Sequence, residues 1–212
     1  MRKLILATML IAASCTSAQD IILPSPDFNE SSTTVIEALR TRHSVRSFDS
    51  TPLSMQQLSN LCWAAFGMSR DSNHRTAPTA MNRQEIRLLA FTATGVYEYI
   101  AKDNLLKKLS DGDKRSLVAG PENRQQTFVL EAPVSLVMVI DLNILGMTGD
   151  KALMMGCVDA GNVSENINLY CQSVGLATVP RGTMDVEGIR KLLGFNENQI
   201  PVMNNPVGKE KK

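Results

Sequence analysis

Apolar positions recur at two different periods along this chain, and the change of period marks out its elements. Behind Ser54, Leu58, Leu61 and Ala65 fall at helical spacing up to Gly67, which predicts a capped helix. Ser31 to Thr34 offer caps for a shorter helix through Arg40, with Glu37 in its first turn. Ile86–Thr92 and Val96–Ile100, separated by Gly95, predict a β-hairpin. Val134–Ile140 is a continuous run of apolar and branched residues, as expected of a central strand buried on both faces. Asp150–Val174 predicts the longest helix, with Gly175 as its C-cap and a stripe of small residues at Gly156, Ala160, Gly161 and Ser164. A strand over Ala177–Thr183, a helix over Val186–Leu193 ending at Gly194, and a last strand over Ile200–Met203 follow. Short helices are expected around Leu105 and over Gln125–Leu130, and a polar loop over Met68–Ala77. Helices and strands mixed without strict βαβ alternation predict an α+β sandwich, a central mixed or antiparallel sheet flanked by helices.

Composition narrows the classes. With 212 residues and 43% hydrophobic content the chain can bury the core of one domain. A net charge of +1 and 5% aromatic residues give no electrostatic or stacking platform for nucleic acid. Residues 1–18 read as an export leader: Arg2 and Lys3 form a positive start, and Leu4–Ala13 an apolar stretch too short to span a bilayer. Cleavage after Ala18 is one expectation. The other is a lipoprotein signal ending before Cys15, whose lipid would anchor the protein. Either route places the protein outside the cytoplasm, in a bacterial periplasm or on a membrane. Residues 19–34, with Pro24 and Pro26, are expected to form an extended arm, and 35–212 the domain. Cys62, Cys157 and Cys171 suit neither a disulfide framework nor a zinc site, and two histidines, His43 and His74, cannot build a histidine-rich metal centre.

Chemistry concentrates at Arg42-His43-Ser44-Val45-Arg46, directly after the first helix. Arginine forks bind phosphate oxygens bidentately, and serine adds a hydroxyl or an exposed N–H. A phosphate monoester is the natural guest of such a cluster; a solvated basic loop is the plainer alternative.

Three further segments stand in a revealing order: Pro78-Thr79-Ala80-Met81-Asn82 followed by Gln84; Gly175 to Val179 running into Pro180-Arg181-Gly182-Thr183; and Ile200-Pro201-Val202 with Gly208-Lys209. Together with Arg42, Ser44 and Arg46, the order and spacing resemble the nitroreductase family over roughly 35–209. The resemblance implies an intertwined homodimer with FMN at the interface and NAD(P)H as an electron donor. It implies that Arg42, His43 and Ser44 meet phosphate or ribityl oxygens, His43 mainly through its backbone. Arg46 would reach the ring edge where reduction places negative charge. Asn82 would hydrogen-bond the ring from the partner subunit, and Pro78, Thr79 and Ala80 would join it among the cofactor-binding residues. Gly182 would let backbone come close to the ring, with Thr183 offering an N–H, and Lys209 would add to the phosphate site. Arg181, also counted with the cofactor-binding residues, stands where many relatives carry glutamate.

The function implied is ping-pong hydride transfer to a small electrophile such as a nitroaromatic or a quinone. Two alternatives stand beside it: from a different class, an exported or lipid-anchored protein that binds a flavin or another phosphorylated ligand without turnover; and, as another flavin enzyme, a specialised dehydrogenase or dehalogenase. Export in an unfolded state would require FMN loading outside the cytoplasm and leaves open a periplasmic donor or a role other than NAD(P)H oxidation.

Overall fold

An antiparallel sheet organises the chain in the computed structural model, which describes residues 19–30 and 33–211. The leader, Cys15, Ser31 and Ser32 lie outside the described residues. The strands are β1 (Ile21–Ile22), β2 (Phe48–Asp49), β3 (Ile86–Thr92), β4 (Gly95–Ile100), β5 (Leu105–Asp111), β6 (Val134–Asp141), β7 (Ala177–Thr178) and β8 (Gln199–Glu210). Across the sheet the order is β1-β5-β4-β3-β6-β8-β2, with β7 paired to β8 off that path. Every one of these pairings is antiparallel. The helices are α1 (Val35–Thr41), α2 (Met55–Phe66), α3 (Arg115–Ala119), α4 (Leu142–Leu145), α5 (Gly149–Ser173) and α6 (Val186–Leu193).

Strand β6 is the spine, buried at every position, as its unbroken apolar run requires. Because successive side chains leave a strand on opposite faces, Leu136, Met138 and Ile140 enter one core with α2 and α5. Val137 and Val139 enter the other, with Val118, Ala119 and Ile189 of α3 and α6. Helix α2 begins at a complete capping box, in which Ser54 and Gln57 satisfy one another's backbone N–H groups. Thr34 caps α1 by accepting the Glu37 N–H. In α5 Gly156 and Ser164 face the sheet, whereas Gly161 opens away from it. A Cβ at Gly156 would lie 2.6 Å from Ile140 Cγ2, so glycine there is what lets α5 sit on β6.

Several expectations are corrected. Leu105 opens strand β5, not a helix; a five-residue apolar pattern fits both periods, and pairing with β4 decides the matter. The arm is extended but docked: Ile21 and Ile22 pair with β5, and the Pro24 carbonyl accepts from the side chains of Ser59 (2.5 Å) and Asn104 (2.8 Å). The last strand runs to Glu210 rather than stopping at Met203, so Lys209 belongs to the ladder, opposite Asp49. Only Ala177–Thr178 of the expected 177–183 strand joins the sheet, followed by one bridge between Arg181 and Asn204. Helix α3 was not expected.

Candidate functional site

One buried residue fixes the basic run. Val45 packs with Phe48, Ala177 and Val179, and its N–H donates to the Thr178 carbonyl at 3.1 Å. Burying the middle of this short segment leaves Ser44 and Arg46 exposed on either side. Arg42, His43 and Ser44 thereby line a cleft of about 580 Å³, open to solvent, together with Asn168, Gln172 and Thr178. Glu210 also lines it. His43 Nδ1 lies 3.2 Å from the Thr41 carbonyl oxygen.

Behind the cleft runs a polar chain. Arg42 Nε forms an ion pair with Glu165 Oε1 at 3.1 Å, and Glu165 Oε2 accepts from Asn168 Nδ2 at 2.8 Å. Asn168 Oδ1 accepts from Asn205 Nδ2 at 3.1 Å; the same amide reaches Thr178 Oγ1, and Asn205 Oδ1 accepts from the Ser164 hydroxyl at 2.8 Å. Asn205 is fully buried, so its amide can be tolerated only because these partners satisfy it. The network ties Arg42 through α5 to the sheet. Its neighbour Asn204 serves the opposite sheet face, where its Oδ1 accepts from Arg181 at 2.7 Å.

Arg181 is an internal strut. Its guanidinium also donates to Gln126 Oε1 and to the carbonyls of Val118 and Ala119, and stacks 5.4 Å over Phe128. Burial, with the nearby Arg46 charge, lowers its pKa to about 10. Arg46, whose charge is felt at Arg181, does not line the Arg42 cleft. Gly182 is exposed, and a Cβ there would meet nothing nearer than the Val202 carbonyl oxygen at 4.0 Å. No packing within the chain therefore demands glycine at 182. The Thr183 carbonyl accepts from Asn204 Nδ2 at 3.1 Å. Lys209 is exposed, across from Asp49, whose carboxyl is held below its usual range mainly by the Thr51 hydroxyl and N–H.

A second groove, about 590 Å³, is lined by Arg70, His74, Arg75, Pro78, Thr79 and Asn82. His74 Nδ1 faces both Asp71 oxygens, at 2.8 and 2.9 Å. The Asn73 N–H, and then His74, hold the Asp71 carboxyl below its ordinary range. Arg75 donates to Gln84 Oε1 and lies 4.9 Å over Phe66. Met81, Asn82 and Gln84 all have φ between 52° and 56°, a costly cluster of left-handed conformations in residues with side chains. The turn is held by Thr79 Oγ1 accepting the Gln84 N–H, by Asn82 and Gln84 side chains donating to the Asn73 carbonyl, and by Asp159 Oδ2 accepting the Ala80 N–H at 2.6 Å.

The twelve residues singled out from sequence therefore form separate groups in one chain. Both grooves lie along α5: Asp159 and Asn162 meet the Pro78–Ala80 turn, while Glu165 and Asn168 serve the Arg42 cleft. Asp159 and Gln172 are about 20 Å apart along the helix axis at 1.5 Å per residue. Sequence reading missed Glu165, Thr178, Asn205, Glu85 and Asp159 as site residues. The available signals were the amide-rich α5, the Asn204-Asn205 pair inside a buried strand, and a glutamate directly ahead of apolar β3.

The nitroreductase family model matches residues 39–209. The chain belongs to the nitroreductase family. A crystal structure from Ralstonia eutropha JMP134, described as a nitroreductase, superposes with a TM-score of 0.83 at 31% identity, covering 93% of this chain and 92% of that one. A Methanocaldococcus jannaschii protein named as a nitroreductase is 28% identical, over 82% of this chain and 90% of its own length. An NADPH-dependent oxidoreductase of Staphylococcus aureus is 27% identical over 82% of this chain, which spans 64% of that longer protein. As a nitroreductase-family member this protein is an oxidoreductase enzyme.

Proposed function

We propose that this oxidoreductase is FMN-dependent and works by a ping-pong cycle, with NAD(P)H or another donor reducing it and a small planar electrophile, such as a nitroaromatic or quinone, reoxidising it. The observation that carries the reading is the Arg42 cleft, which Arg42, Ser44 and Gln172 line together. That donor set suits a phosphate monoester. When bound, FMN supplies the hydride chemistry. The protein's own residues bind and orient it. Arg42 and Ser44 hold phosphate, with the Glu165–Asn168–Asn205 chain keeping Arg42 in place. Arg46 offers positive charge to the ring edge. Gly182 leaves room for close approach of the ring, and Lys209 adds a cation at the exposed end of β8.

We place Thr79, Ala80 and Asn82 at the ring of a second copy's flavin, because the two grooves stand at different stations along α5. A homodimer also accounts for exposed Val35, Ile36 and Leu39 on α1 and Met154 and Val158 on α5. Gly161 opens onto free space between them and the Glu165 end of the helix. The leader reading adds export, as a periplasmic or lipid-anchored enzyme. Purification followed by a visible spectrum tests the cofactor: flavin bands that NADPH or NADH bleaches, and that a quinone or nitroaromatic restores, are expected. A colourless protein that fails to bind added FMN would refute the reading.

A further inference from the structure

Glu85 stands out as a buried group that the proposed chemistry does not use. Its side chain is 0% exposed, and neither carboxyl oxygen has a hydrogen-bond donor among the described residues. What faces it is Asp159, on α5, 5% exposed. Two ionised carboxylates are both acceptors and cannot satisfy one another; a single proton between them converts repulsion into a hydrogen bond. Neither Arg75 nor Arg87 offers an alternative. Arg75 is committed to Gln84 and the Phe66 carbonyl, and Arg87 to both oxygens of Glu98. Asp141, whose N–H donates to the Glu85 carbonyl, turns its own carboxylate to Asn143 and Gln199. The far side of Asp159 is occupied by the Ala80 N–H, at 2.6 Å, and Ala80 opens the turn in which Met81, Asn82 and Gln84 are strained.

We infer that Glu85 is a positioning residue: as a neutral acid it donates to Asp159, which then holds the Ala80 N–H and presets the strained 79–84 turn that presents Thr79 and Asn82. Burial, followed by Asp159, pushes the Glu85 carboxyl up to about 7, which keeps the proton in place below neutrality. Loss of that proton leaves two adjacent buried negative charges. The least costly relief is to swing Asp159 away and release the turn, since the turn is already strained. The consequence for FMN rests on the function proposed above; the consequence for the turn does not.

The test uses the flavin-free protein first. Hydrogen exchange over 79–84, corrected for the intrinsic pH effect, is followed at about pH 6 and about pH 8.5, on either side of the Glu85 titration. The parent is expected to lose protection of the turn by about tenfold or more at the higher pH, since one unit of separation between pKa and pH already changes the neutral fraction by that order. Glu85→Gln, whose amide donates without titrating, should stay protected at both values. Glu85→Leu should be unprotected at both. Asp159→Asn, which can still accept from Ala80, should lose the pH dependence and guards against a misfolded Gln variant. A parent whose turn protection ignores pH, or a Gln variant that behaves like Leu, overturns the inference. FMN affinity on the same proteins then tests the second link. A turn that responds as described with unaltered FMN binding would leave Glu85 in its positioning role and refute only the placement of the turn at the flavin.

Discussion

Two glycines five residues apart on α5 should respond in opposite ways to added side chains. At Gly156 a Cβ would lie 2.6, 2.8 and 2.9 Å from Ile140 Cγ2, Cδ1 and Cγ1. Ile140 is fully buried in the central strand and has nowhere to go. Overpacking of this kind costs about 1–3 kcal/mol, and three simultaneous close approaches argue for the upper end. Alanine recovers about 1 kcal/mol of helix propensity over glycine. Gly156→Ala should therefore lose about 1–2 kcal/mol net, a fall in Tm of about 2–8 °C for a domain of this size. Ile140→Ala alone should cost about 2–5 kcal/mol, yet the double variant should lose at least about 1 kcal/mol less than the sum, because the clash is gone. At Gly161 a Cβ meets nothing within 4 Å. Gly161→Leu should leave the monomer fold intact or slightly more stable, and should break the dimer and release FMN. Thermal unfolding by circular dichroism, with light scattering on the same samples, reads both. A stabilised Gly156→Ala, or a Gly161→Leu that stays dimeric and flavin-loaded, would refute the division of the helix into sheet-facing and partner-facing sides.

Other substitutions probe other links. Glu85 has its pKa raised from an ordinary 4.5 to about 7, so its proton is held more tightly in the folded state. The corresponding stability is fully present below about pH 4.5 and is lost as pH rises through about 7, by about 3 kcal/mol in all. The difference in urea stability between Glu85→Gln and parent should therefore grow across that window, and parallel curves would contradict it. Arg42→Ala should weaken FMN binding by about 1.5–3 kcal/mol, the worth of hydrogen bonds to a charged group, whereas Arg46→Ala should weaken it less and lower the flavin potential; fluorescence titration and redox titration separate the two. Asn205→Leu strands the Asn168 carbonyl and removes the partner of Ser164, so a loss of about 1–3 kcal/mol in chemical denaturation is expected, with weaker FMN binding through the loosened Glu165–Arg42 pair.

The sequence disclosed the skeleton because burial wrote itself into period and punctuation. Val134–Ile140 is unbroken because both faces are covered, and Ser54 with Gln57 announces the start of α2. Segments whose identity depends on distant pairing were not legible: Leu105–Asp111 and the run from Asn204 to Glu210 become strands because β4, β6 and β2 lie beside them, and no local pattern encodes that. The basic run was legible as a candidate site, and Val45 explains why three of its neighbours reach one cleft. The arrangement behind it was not. Nothing local says that Asn205 reaches Asn168, or that Glu85 faces Asp159, since polar residues gain their meaning from partners 37 and 74 positions away. Arg181 looked like a ligand-facing cation because it borders Gly182, yet the strand bridge turns it inward to Asn204.

The most direct test of the central reading is a single anaerobic experiment on the purified protein supplied with FMN. Absorbance should report one flavin per chain, light scattering a dimer, and NADPH or NADH should bleach the flavin, with a quinone restoring its colour. A protein that binds no FMN, or one that binds it fully as a monomer, would contradict a flavin enzyme built from the Arg42 cleft of one copy and the Asn82 turn of the other.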